Sequence, residues 1–376
     1  MKRVLFIDFG DLEYFQQLAY VMSKHCEVIV VSKYSSSQTG ALEFFYKFSS
    51  NIENVKLRKI VRGIEYIIGY IRTINFLKKN NVDIVHIQWS MLPYIDRIMW
   101  KRIKLYTNKL IYTAHDVIPH NYYENFVKKY KKLYAIPDRI IIHGDYCKNE
   151  VKKYFPEYLG KTYIQYHGVY MKKKNNVSEN TINKHISFIK SIDNKKIIIS
   201  LIGQINEYKG IDILTDAWEK FKNNNNLFLL IAGQTVDSYK KDFIGYKKKL
   251  ESYENVYIYN NRFSEEEEEL FYSYTDISIL PYKSASMSGV LFTSAKHDKT
   301  VISTRVGCLN EYLNYTDNCI TCEPNIMSIQ KAIDDIIKDG NAKITYAEMG
   351  KKFSNDIYRN FSWDKIVNDL VDNCYK

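Results

Sequence analysis

Between residues 276 and 304 the chain reads strand, Ser-Gly turn, helix, strand, the succession of a βαβ unit in a parallel sheet. DISIL at 276–280 and VIST at 301–304 are apolar runs of strand length. Ser288-Gly289 stands where the intervening helix would begin, and Val290, Leu291 and Ala295 supply its apolar face. A serine at the cap position followed by glycine lets an anionic group approach the helix's unpaired N–H groups and positive end. In an open α/β sheet this position, beyond the carboxyl end of a strand, is where ligands bind. An ordinary capped helix in a βαβ unit is the plainer reading of the same residues.

The alternation fills the chain on both sides. In the first half, strands are expected at 4–8, 27–31, 82–88, 110–114, 139–143 and 162–166, with helices at 12–24 and 145–154. Gly10 turns after the first strand, yet no GxGxxG follows, so the dinucleotide fingerprint is lacking. Residues 171–195 are polar and interrupted, the best linker in the sequence. Strands then resume at 196–202, ending in Gly203-Gln204, and at 227–232, ending at Gly233. The acidic run 265–269 looks like a metal site, but Ser264 with Glu267 forms a capping box, and acids suit a first helical turn. The expected organisation is a first α/β domain over 1–171, a linker over 172–195 and a second α/β domain over 196–358. A C-terminal helix over 359–376 closes the chain and could return to the first domain. Two such units flanking a linker imply a cleft, a favoured ligand position.

Charge divides unevenly. Residues 1–175 carry 29 Lys/Arg against 15 Asp/Glu, and 176–376 carry 25 against 28. A basic half points to an anionic partner, either nucleic acid or an anionic membrane surface. The stretch 56–79 has Ile, Tyr and Leu on one side and cations at its ends, as a helix covering a sheet or lying on a membrane would. Basic segments with aromatics at 97–104 and 128–132 favour lipid. Nucleic acid is disfavoured because no RRM, KH or helix-turn-helix pattern is present. The six scattered cysteines read as reduced thiols. No apolar run reaches the roughly 18–20 residues of a membrane span. The expectation is a cytoplasmic protein held peripherally at the membrane's inner face.

Polar candidates gather at expected strand ends. HDVIPH places His115, Asp116 and His120 after the strand at 110–114. A crevice-lining role suits His115 better than metal, because the spacing lacks a zinc motif. The ordered set Gly203-Gln204-Ile205-Asn206-Glu207-Tyr208-Lys209-Gly210, 229–233, 276–282, Ser288-Gly289-Val290, 301–302, Gly307 and Glu311 resembles the GT-B glycosyltransferases, particularly glycosyltransferase family 4 (group 1). VDIVHIQW, TAHDVIPH and HGV at 167–169 look like landmarks of the same family in the first half.

That resemblance implies two Rossmann-like domains and transfer of a sugar from a UDP- or GDP-sugar to a lipid-linked or other glycan acceptor, in capsule, exopolysaccharide or O-antigen synthesis. It implies retention of configuration, with neither metal nor cofactor. Lys209 would neutralise the leaving diphosphate, His115 would lie near the donor sugar, and Gly10 would match a glycine loop beside the substrates. Gly203, Gly233, Ser288, Gly289 and Val290 would line the donor site. Two departures stand out: Gln204 replaces an arginine, and Ser286 and Ser294 replace a pair of glutamates. Ser294 would then offer a weaker ribose contact, and Glu311 remains as a sugar or ribose contact. The missing glutamates leave open an inverting reaction with a carboxylate base, Asp11, Glu13 or Asp116. They also leave open a non-catalytic partner protein that binds glycan.

Overall fold

The computed structural model describes residues 1–9, 12–32, 42–45, 49–118, 125–172 and 192–376. Gly10, Asp11, His120 and residues 173–191 of the expected linker lie outside the described residues. The chain forms two compact units: Met1–Gly168 with Trp363–Lys376, and Val169–Ser362.

The first unit holds seven parallel strands: β1 (Arg3–Asp8), β2 (Glu27–Ser32), β3 (Leu42–Glu43), β4 (Val82–Ile87), β5 (Thr107–Thr113), β6 (Arg139–Ile142) and β7 (Thr162–Ile164). Their order is β3-β2-β1-β4-β5-β6-β7, so the winding reverses between β1 and β4. Val4 pairs with Ile84 and Phe6 with His86 across that seam. Helices α1 (Leu12–Met22), α2 (Val55–Lys79), α3 (Pro93–Ile103), α4 (Asn125–Tyr134) and α5 (Asp145–Tyr154) connect the strands. The basic segments thus lie on α3 and α4, whose buried sides carry Met99, Trp100 and Ile103, and Tyr130, Leu133 and Tyr134.

One buried carboxylate ties α2 to the start of α3. Asp96 accepts from the Tyr66 and Tyr70 hydroxyls at 2.6 and 3.0 Å and from Ser90 Oγ and the Leu92 N–H at 2.7 and 3.0 Å. Burial still pushes its carboxyl up to about 6. The chain's last helix (Trp363–Asn373) belongs to this unit. Trp363 Nε1 donates to Gln17 Oε1 at 3.0 Å, and a side chain at Gly168 would overlap the Trp363 ring.

The second unit holds β8 (Ile197–Ile202), β9 (Leu227–Ala232), β10 (Val256–Tyr259), β11 (Ile277–Leu280), β12 (Thr300–Thr304) and β13 (Ile320–Cys322). Their order, β10-β9-β8-β11-β12-β13, repeats the doubly wound pattern, with its reversal between β8 and β11. β8 and β9 are buried at every position, as strands covered on both faces must be. Helices α6 (Ile211–Trp218), α7 (Lys240–Glu251), α8 (Glu265–Tyr274), α9 (Gly289–Lys296), α10 (Gly307–Leu313), α11 (Ile326–Lys338) and α12 (Ala342–Asn360) cover the sheet. The capping box on α8 forms as the sequence implies: Ser264 Oγ accepts from the Glu267 N–H at 3.2 Å, and Glu267 Oε2 accepts from the Ser264 N–H at 2.8 Å.

Candidate functional site

The strand order reverses between β8 and β11, the position at which doubly wound sheets bind ligands beyond the carboxyl ends of their strands, and three loops meet there. Gly233 ends β9 at φ +155°, where an added Cβ would sit 1.9 Å from the Gly203 carbonyl oxygen. The turns after β8 and β9 can therefore stack only as glycines. A Cβ added at Gly210, at φ +70°, would likewise sit 1.8 Å from the Pro281 carbonyl oxygen, so a glycine there lets the β8 loop lie against the β11 loop. The Lys283 N–H completes that join by donating to the Tyr208 carbonyl at 2.7 Å.

Lys209 lies at the centre of this arrangement, only 6% exposed. Its ammonium donates to Tyr282 Oη at 2.8 Å and stands 4.8 Å from the centre of that ring. No carboxylate pairs with it among the described residues. Burial lowers its pKa below the ordinary lysine value. Burial holds the Tyr282 phenol well above its usual range, so a neutral hydroxyl faces the ammonium. Tyr282 is itself fixed by Thr304 Oγ1, which donates to its carbonyl at 2.6 Å.

Ser288 occupies the cap position of α9, but its side chain makes no capping bond. Its Oγ lies 3.3 Å from Tyr282 Oη instead, so the sequence expectation of a side-chain cap is corrected. The first N–H groups of α9 have no partner within the helix. Val290 packs against Gly203, which sets the α9 N-terminus beside the Lys209 loop. Asn206 Oδ1, in the same loop, is buried with no hydrogen-bond partner.

The remaining candidates separate. Gln204 is exposed on this loop, and Glu311 is half-buried on α10, whose Cys308 N–H donates to the Ala285 carbonyl at 2.9 Å. Ser294 does not join the cluster. It is fully buried, with Oγ 2.9 Å from both Ser278 Oγ and the Val290 carbonyl, so its hydroxyl is engaged inside the unit rather than toward a ribose.

The first unit builds a second cluster at its own strand ends. His115, just beyond β5, stacks on Trp89 with ring centres 4.0 Å apart and planes 13° apart. Its Nδ1 lies 2.9 Å from His143 Nε2, and His143 Nδ1 lies 2.8 Å from the Gln165 carbonyl. Tyr14 packs across His115, His143 and His167. Burial holds His115 well below the ordinary histidine value and takes His86 and His167 down to about 3, so these rings are neutral near pH 7. Asp116 is half-buried, and burial together with its like charge raises the Glu150 carboxyl to about 7. Glu13 accepts from Gln17 Nε2 at 3.4 Å. Sequence reasoning missed Tyr282, His143 and Trp89. The signal available was position: each lies at or just beyond the end of an apolar strand.

Two family models match the sequence. "Glycosyltransferase Family 4" matches residues 14–172, and "Glycosyl transferases group 1" matches residues 183–355. Among solved structures, HepE of Anabaena in complex with UDP and glucose gives a TM-score of 0.73 at 11% identity, covering 100% of both chains. Sucrose-phosphate synthase of Thermosynechococcus elongatus gives 0.72 at 13%, covering 99% of this chain and 98% of its own. An uncharacterized glycosyltransferase of Methanocaldococcus jannaschii is 28% identical over 211 residues, 52% of this chain and 54% of that protein. The chain thus spans about half the length of that curated relative. Two doubly wound parallel units and these neighbours place the chain in the GT-B fold class. It belongs to the group 1, family 4 glycosyltransferases.

Proposed function

We propose that this chain transfers a sugar from a UDP- or GDP-sugar to a glycan acceptor, with the second unit holding the nucleotide. One observation carries the reading: the Lys209 ammonium is buried at the crevice, with no carboxylate partner among the described residues, beside the N-terminus of α9. A buried cation without a counter-charge is costly, and a bound diphosphate would supply that charge. Lys209 and the Gly289 and Val290 amides converge on one anion, and their attraction grows as the glycosidic bond breaks and charge collects on the departing diphosphate. These groups do the electrostatic work that a metal ion does in other transferases, which supports a metal-independent reaction. Retention of configuration is proposed on family resemblance, and an inverting course would take its carboxylate base from Asp11, Glu13 or Asp116.

A lipid-linked acceptor at an anionic membrane surface completes the proposal. Support comes from the first unit. Leu57, Ile60, Ile64, Ile68 and Ile71 are exposed along α2, on the side opposite its buried Tyr66, Tyr70 and Leu77. Beside α3 and α4 lies a groove of about 850 Å³ whose lining includes Arg97, Lys101, Lys104, Lys128 and Lys132. An exposed aliphatic row on one helix and a cation-lined groove on the same unit suit the interface of an anionic bilayer.

The test is nucleotide release from a panel of UDP- and GDP-sugars. Wild type should release one nucleotide, and Lys209→Ala should lower kcat roughly 100-fold or more. Equal rates in the two proteins would remove Lys209 from the chemistry.

A further inference from the structure

The hydrogen bonds of the first-unit histidines determine which ring nitrogen holds each proton. A backbone carbonyl can only accept a hydrogen bond, so His143 Nδ1, 2.8 Å from the Gln165 carbonyl, must hold a proton. In a neutral His143 the other nitrogen, Nε2, then bears a lone pair. That lone pair faces His115 Nδ1 at 2.9 Å, so His115 must hold its proton on Nδ1 and donate it to His143. His115 Nε2 is left unprotonated, buried and without a hydrogen-bond partner. A buried acceptor left unpaired is costly and calls for a donor.

We infer that His143 is a positioning residue: it fixes His115 as the Nδ1–H tautomer, so that His115 Nε2 presents a lone pair to a hydroxyl of the bound sugar. The polarity of the chain runs one way, from ligand O–H to His115, from His115 to His143, and from His143 to the Gln165 carbonyl. Such an end accepts a sugar hydroxyl and repels a phosphate or carboxylate oxygen, since two lone pairs would meet. The strands make the arrangement rigid. The Ala114 N–H donates to the Ile141 carbonyl and the Gln165 N–H to the Ile142 carbonyl, both at 2.8 Å, which keeps the ends of β5, β6 and β7 in step. Trp89 holds the His115 ring by its face, so the ring's edge remains available for both bonds. The titratable groups around the pair are His86, His167, Tyr14 and Asp116. The two histidines are kept neutral by burial, while Asp116 favours charge on His143. The hydroxyl assignment rests on the proposed transferase reading; the tautomer does not.

Two-bond proton–nitrogen NMR correlations on the full chain labelled with ¹⁵N-histidine read the tautomer directly, with His115→Gln and His143→Gln identifying the two signals. Both rings should carry their proton on Nδ1 near neutral pH. In His143→Phe, which keeps the ring but loses the acceptor, His115 should become a mixture of tautomers. In His143→Gln, whose side-chain carbonyl can still accept, it should stay on Nδ1. A proton on His115 Nε2 in wild type would overturn the proposal, whatever the variants do. An unchanged His115 in a folded His143→Phe would overturn it equally. With UDP-glucose or GDP-mannose, whichever is turned over, His143→Phe should lose roughly tenfold in kcat/KM while free UDP or GDP binds as before, and His143→Gln should recover most of that loss. If neither donor is turned over, the transferase reading suffers, yet the spectra still decide the tautomer.

Discussion

Gln204 and Lys209 share one loop yet differ sharply in environment: Gln204 is exposed, and Lys209 is buried against Tyr282. Only Lys209 brings a formal positive charge to the proposed diphosphate. A second cation at the exposed position meets no burial cost, because its head can stay in water until ligand arrives. Gln204→Arg is therefore expected to tighten UDP or GDP binding several-fold, by roughly 1 kcal/mol, and to make that binding more sensitive to salt. Calorimetric titration at two ionic strengths checks it; unchanged affinity would mean that the diphosphate does not reach this part of the loop.

Asp96 sets the behaviour of an element junction, since it anchors the start of α3 to two tyrosines of α2. Its carboxyl is raised from 3.8 to about 6. Between those values the native chain holds a proton that the unfolded chain has released, so stability falls as pH rises through that window and levels above it. The whole fall amounts to about 3 kcal/mol, about 2 kcal/mol of it between pH 4 and pH 6, and Asp96→Asn should flatten it in urea titrations at those two values. A slope unchanged in the variant would assign it to other groups. Helix α2 itself is apolar on two sides, one packed and one exposed. Ile60→Glu with Ile64→Glu should leave the fold and donor turnover intact while reducing co-sedimentation with phosphatidylglycerol vesicles at least tenfold. Equal sedimentation would assign the membrane contact elsewhere.

At the scale of the whole molecule, the sheets were legible and the sites only half so. β8, β9 and β11 announce themselves as continuous apolar runs, since both faces of a parallel strand are covered. Helices α3 and α4 were hidden because their exposed sides carry so many cations that the buried apolar stripe is diluted. Lys209 could be picked out from its loop, but Tyr282, 73 residues further on, becomes its partner only when β8 and β11 lie side by side. Ser288 could be placed at the start of a helix, whereas the direction of its hydroxyl depends on that same tyrosine. Ser294 looked like a ligand contact because of its place in the sequence, and the helix turns it inward onto Ser278. In the proposed function the second unit holds a nucleoside diphosphate through Lys209. A thermal-shift comparison with UDP, GDP, ADP, CMP and TDP, on wild type and Lys209→Ala, tests it most directly. At 100 times the dissociation constant, one diphosphate should stabilise wild type by about 2.7 kcal/mol and leave the variant nearly unmoved. Equal stabilisation of both proteins, or none by any nucleotide in folded wild type, would contradict it.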